Sequence, residues 1–115
     1  MHCDGFVPKL QGLEGLEKLY IGKIKELDIA DILREYPKLR ELRLWGNPGK
    51  LTNFARISEL SNLEVLTTMD LFGFTAEDVP KPEELQKLYM LWMDSLPEDA
   101  AKEVKKLYKN RKSEG

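Results

Sequence analysis

Leu39-Arg40-Glu41-Leu42-Arg43-Leu44-Trp45-Gly46-Asn47 is the stretch on which the reading of this chain turns. Leu42 and Leu44 alternate with Glu41, Arg43 and Trp45, the pattern of a short strand with one face buried. Leu39 stands one step earlier, where the chain runs into the strand. Asn47 is placed to bridge backbone groups as the chain turns away, and Pro48-Gly49 mark the turn.

The pattern recurs on both sides. Leu16-Glu17-Lys18-Leu19-Tyr20-Ile21 precedes it; Leu63-Glu64-Val65-Leu66-Thr67-Thr68 and Leu85-Gln86-Lys87-Leu88-Tyr89-Met90 follow. The first leucines, Leu16, Leu39, Leu63 and Leu85, stand 23, 24 and 22 residues apart. In this period and in its Leu-x-x-Leu-x-Leu core the chain resembles leucine-rich repeat proteins with short repeats, whose period runs from about 20 to 29 residues. The asparagine place departs from that pattern, being Ile24, Leu71 and Met93 in the other repeats, so an internal asparagine ladder is mostly missing.

The resemblance implies an α/β fold: a short right-handed solenoid with parallel strands on a concave face and helices on the convex one. The 115 residues read as a single domain. Its repeats span about 16–38, 39–62, 63–84 and 85–109, with a tail at 110–115. Residues 1–15 are a half-repeat or N-terminal cap, in which Val7, Leu10, Leu13 and Leu16 step by three as Phe54, Ile57, Leu60 and Leu63 do later. Phe6 and Val7 are expected to cover the first strand. Strands are expected around Leu19, Leu42, Leu66 and Leu88.

Between them, Asp28 caps a helix to Tyr36 with Ile29, Ile32, Leu33 and Tyr36 on one face. A second helix is expected over Thr52–Leu60, and a single turn at Thr75–Asp78 before Pro80 and Pro82. Ser95-Leu96-Pro97-Glu98 has capping-box spacing and opens a last helix. Leu96, Ala100, Val104 and Leu107 form its inner face, and Glu98, Asp99, Lys105, Lys106 and Lys109 are placed to suit its dipole.

Composition narrows the function. With 18 basic and 20 acidic residues the net charge is −2, which argues against nucleic acid and anionic lipid as partners. No apolar run is long enough to cross a bilayer. One cysteine, Cys3, leaves no internal disulfide, and a cytoplasmic location is the expectation. His2, Cys3 and Asp4 are the only grouping reminiscent of a nucleophile pair or metal site, and a frayed terminus accounts for them better. No catalytic residue, metal or cofactor is expected.

The informative surface is the concave face that the repeat implies. One strand place reads Tyr20, Arg43, Thr67 and Tyr89; later places read Gly22, Trp45, Met69 and Leu91, then Lys23, Gly46, Asp70 and Trp92. Aromatic, methionine and arginine side chains on one face have the composition of protein–protein hot spots. Tyr20, Arg43, Trp45, Met69, Asp70, Tyr89, Leu91 and Trp92 are the candidate partner-binding residues, with Trp45 and Arg43 at the centre. The bland alternative is that some aromatics fold sideways onto a neighbouring strand.

The expected function is a non-enzymatic module that binds a protein or peptide, as an inhibitor or immunity-type protein does. The alternative is a terminal solenoid fragment of a larger receptor or effector. An uncovered last strand would invite self-association through its edge.

Overall fold

The computed structural model describes residues 1–7 and 12–108, and of Leu107 the backbone alone. Leu10 and the 109–115 tail lie outside the described residues. Five strands form one all-parallel sheet in chain order, an arrangement compatible with a solenoid: β1 (His2–Asp4), β2 (Lys18–Asp28), β3 (Glu41–Thr52), β4 (Val65–Phe72) and β5 (Met90–Met93). Strands around Leu19, Leu42 and Leu66 were legible in the sequence, and these residues pair directly with one another.

Leucine alternation builds the core. Leu19, Ile21, Leu42, Leu44, Leu66 and Thr68 point to one side of the sheet and are fully buried. Against them pack the return segments: Ile29, Ile32, Tyr36 and Leu39; Phe54, Ile57, Leu60 and Leu63; Val79, Leu85 and Leu88. Helix α1 (Ile29–Glu35) starts where expected, because the Asp28 carboxylate accepts a hydrogen bond from the Ala30 N–H at 2.9 Å. The second return segment, expected as a helix over Thr52–Leu60, is a 3-10 helix, Phe54–Glu59, behind Asn53 at φ 55°. Ala76–Asp78 is the anticipated single turn, and Thr75 and Asp78 close a capping box around it. Helix α2 (Glu98–Leu107) begins later than expected: Pro97 is its N-cap and Ser95 makes no cap. Leu96 and Val104 are buried and Ala100 partly so, while the Leu107 side chain lies outside the described residues.

The fourth repeat is shifted by three residues. Leu66 pairs with Leu91 and Thr67 with Trp92, so the strand is centred past Leu91, not on Leu88. The Leu88 N–H bonds to the Leu85 carbonyl just as Leu63 bonds to Leu60 and Leu16 to Leu13. Leu85 and Leu88 therefore end a return segment, and Leu88, not Leu85, is the first leucine of the repeat. Leu85-x-x-Leu88 and Leu88-x-x-Leu91 satisfy the same spacing, so the string alone could not choose between them.

Two further expectations give way. The N-terminus is a paired strand: Cys3 lies beside Ile21 and Asp4 beside Gly22. Val7 joins the core, but Phe6 is 65% exposed. At the other corner, Asn47-Pro48-Gly49 does not end a strand. β3 continues through it with a register shift between Trp45 and Gly49, a bulge in which Pro48 costs no ladder bond. Asn47 is exposed on the outside of the bulge, while Ile24 and Leu71 at the matching places are fully buried. Gly49 is required there: a Cβ on it would lie 2.1 Å from the Ile24 carbonyl oxygen. The fully buried Leu71 packs against Gly46 and Gly49 beneath the bulge.

Candidate concave interface

On the face opposite the core, the register lays side chains out in three rows. The first is Lys18, Glu41, Val65 and Met90; the second is His2, Tyr20, Arg43, Thr67 and Trp92. The third is Asp4, Gly22, Trp45 and Met69, extended by Asp94, whose N–H bonds to the Thr68 carbonyl. Neighbouring strands lie about 4.8 Å apart, so side chains adjacent in a row touch.

The β1–β3 half of this face is closed on itself. The Tyr20 hydroxyl donates to the Glu41 carboxylate, and Arg43 stands 3.5 Å from the same carboxylate. Burial would raise the Glu41 carboxyl, but the Tyr20 bond and the Arg43 and Lys18 charges outweigh it and hold it below the usual range. The same bond raises the Tyr20 phenol. Trp45 does not stand into the groove. Its indole lies across Gly22, where a Cβ would come within 2.5 Å of Nε1, and stacks on His2 at 5.5 Å between centroids and 21° between planes. Gly22 is what lets tryptophan cross a whole strand. His2 is thus part of a strand and an aromatic stack, not a frayed end. The Cys3 thiol is half-buried on the core side, and burial raises it. Thiol and imidazole therefore point to opposite faces of the sheet, which rules out their acting as a pair.

The β4–β5 half is open and apolar. Met69 is 43%, Met90 45% and Trp92 49% exposed, around Val65 and Thr67, which their neighbours bury. The carboxylates above it are Asp70, which is exposed in the left-handed region at φ 53°, and Asp94, whose Oδ1 accepts the Asp70 N–H at 2.9 Å. Lys105 of α2 reaches the Trp92 ring, with Nζ 5.2 Å from its centroid.

Of the eight residues expected on this face, Tyr20, Arg43, Trp45, Met69 and Trp92 lie in these rows and Asp70 at their upper rim. The three-residue shift displaces two. Leu91 points to the core, and Tyr89 falls in line with Glu64, its N–H bonding to the Glu64 carbonyl at 3.0 Å. Glu64 belongs to a charged ladder at the strand starts, where Arg40 bridges Glu17 at 3.0 Å and Glu64 at 2.5 Å. The Arg40 bond and charge hold the Glu64 carboxyl below its usual value. Met90 and Val65 enter the face unforeseen: the three-residue shift hid Met90, while Val65 precedes the central leucine of its repeat as Glu41 does, in a row that was legible in the sequence.

Among the described residues no group of three His, Cys, Asp or Glu side chains is placed to hold a metal ion, and no helix is long and apolar enough to cross a membrane. Searched against protein-family models, curated proteins and solved structures, the chain matches none of them.

Proposed function

We propose that this chain is a leucine-rich-repeat module that binds a protein or peptide on its concave sheet, without chemistry of its own. The parallel strands in chain order, each followed by a return segment of similar leucine spacing, support the repeat reading. The observation that carries the binding reading is the contiguous Met69–Met90–Trp92 patch, three large apolar side chains exposed side by side over a buried floor. Apolar patches gathered in this way, rimmed by polar groups, mark interaction sites. Methionines adapt to a partner's shape, and a tryptophan supplies anchoring area. The centre of binding therefore sits on β4–β5 and not on Trp45, which is already spent on Gly22 and His2.

The test takes a partner captured by pull-down and compares Trp92→Ala with Trp45→Ala. Trp92→Ala is expected to weaken binding by about 2 kcal/mol or more with little change in melting temperature. Trp45→Ala is expected to act mainly on stability. Unchanged affinity in Trp92→Ala would refute the β4–β5 site.

A further inference from the structure

The two edges of the sheet are built differently. In a parallel ladder the backbone groups of successive residues alternate between the two neighbours. On β5 the Met90 and Asp94 N–H groups bond to β4, at the Glu64 and Thr68 carbonyls. The N–H and C=O of Leu91 and Met93 therefore point to the open edge. Every residue of that edge strand is apolar, Met90-Leu91-Trp92-Met93, with neither proline nor charge in it. Leu91 and Met93, although on the core side, stay only partly buried, whereas Leu42, Leu44 and Leu66 are fully buried. The β1 edge is the opposite case. It carries His2 and Asp4, the N-terminal ammonium bonded to the Lys18 carbonyl at 2.8 Å, and an Asp4–Lys23 ion pair.

An apolar strand edge with free donors and acceptors pairs with other strands unless it is guarded. Here the guard is visible. Lys105 lines the small apolar notch between α2 and the core-side Leu91 and Met93, yet its ammonium lies over the Trp92 ring on the opposite face. The Lys105 and Trp92 side chains, rooted on opposite sides of the sheet, thus meet at its β5 edge.

We propose that the outer edge of β5 pairs antiparallel with the β5 of a second copy of this chain, and that Lys105 sets the strength of that pairing. A two-fold axis normal to the sheet keeps core side with core side, so only same-face residues can be opposed. Placing the axis at Trp92 opposes Trp92 to Trp92 and Leu91 to Met93. That register satisfies all four open-edge N–H and C=O groups of each strand at once. It also sets two indoles in the close, non-hydrogen-bonded position favoured by cross-strand aromatic pairs. The polar β1 edge offers no such match, which disfavours head-to-tail stacking. A four-residue strand is only about 13 Å long. Such a contact falls short of the roughly 1,200 Å² of a stable complex, so the dimer is weak and depends on concentration. The proposal needs no other partner; it shares Trp92 with the concave-face reading, and Lys105→Ala and Met93→Pro, which lie outside the Met69–Met90–Trp92 patch, tell the two apart.

Sedimentation of the intact chain tests it. Wild type is expected to show a monomer–dimer equilibrium that salt strengthens, since the two Lys105 ammonium groups approach one another. Lys105→Ala removes the guard and is expected to tighten the dimer about fivefold, the worth of the two exposed cation–π contacts, one per copy, that pairing gives up; Lys105→Arg keeps wild-type behaviour. Met93→Pro deletes one open-edge donor without touching a β4 bond, and is expected to give a folded monomer. Should that variant not fold, oxidation in a Cys3→Ser background reads the register: Trp92→Cys cross-links to itself and Leu91→Cys does not. Assembly beyond the dimer, a Lys105→Ala chain no tighter than wild type, or self-cross-linking through Leu91→Cys would overturn the proposal.

Discussion

Thr68 occupies a place where the preceding strands carry Ile21 and Leu44, and it is as completely buried as they are. Its Oγ1 has no hydrogen-bond partner. A buried hydroxyl left without a partner costs about 1–3 kcal/mol, and an apolar isostere removes that cost. Thr68→Val is therefore expected to raise the unfolding free energy by about 1 kcal/mol, measured by urea denaturation; a loss of stability would mean that the hydroxyl is satisfied. Gly22 makes the complementary case on the other face. A methyl group there would meet Nε1, Cε2 and Cζ2 of the Trp45 indole, a half-buried side chain at the sheet surface with room to shift outward. Gly22→Ala should lift Trp45 off His2 and shift its fluorescence to the red, read in a Trp92→Phe background so that one indole reports. Emission unchanged from the parent would show that Trp45 does not lie across that glycine.

At the scale of the element, Asp28 joins two return segments. Its carboxylate accepts from the Ala30 N–H at the start of α1 and from Asn53 Nδ2 at 2.9 Å, ahead of the 3-10 helix. The Asn53 bond first, then the Ala30 N–H, hold this carboxyl below its ordinary value of 3.8. A depressed acid stabilises the fold above its unfolded pKa and loses that contribution as pH falls through the folded one. Stability should thus drop on acidification below about pH 4, and part of that drop should vanish in Asp28→Asn. Asp28→Ala is expected to cost about 1 kcal/mol at neutral pH, as loss of a helix cap does. A wild-type melting temperature for Asp28→Ala would remove the cap from the account.

Over the whole molecule, the C-terminal helix closes the core that β5 leaves short. Val104 and Tyr108 are buried, and the Tyr108 hydroxyl donates to the Pro80 carbonyl in the proline-rich return segment. That contact ties α2 to the loop 28 residues earlier. Val104→Asp would bury an unpaired carboxylate beneath the last strand, at a cost of several kcal/mol against a total of about 5–15. It should unfold the protein or leave an aggregating chain, detected by loss of a cooperative thermal transition. A cooperative transition at the wild-type temperature would place α2 off the core.

The leucine alternation by itself determined the parallel strands at Leu19, Leu42 and Leu66, because only one face of such a strand can leave water. The Asp28 cap and the Thr75 turn were equally legible, since both depend on residues within one helical turn of each other. Register in the last repeat was not. Leu85, Leu88 and Leu91 are evenly spaced, and only packing Leu85 and Leu88 beneath the sheet decided which of them begins the strand. That decision brought Met90 onto the face opposite the core, set Trp92 in the row of Thr67, and took Tyr89 and Leu91 off that face. The direction of Trp45 was also beyond the string, for it depends on a glycine one strand away and a histidine two strands away. Local chemistry is written in neighbouring residues; which side chains share a surface depends on contacts between residues far apart in the chain, and only the tertiary structure brings those together.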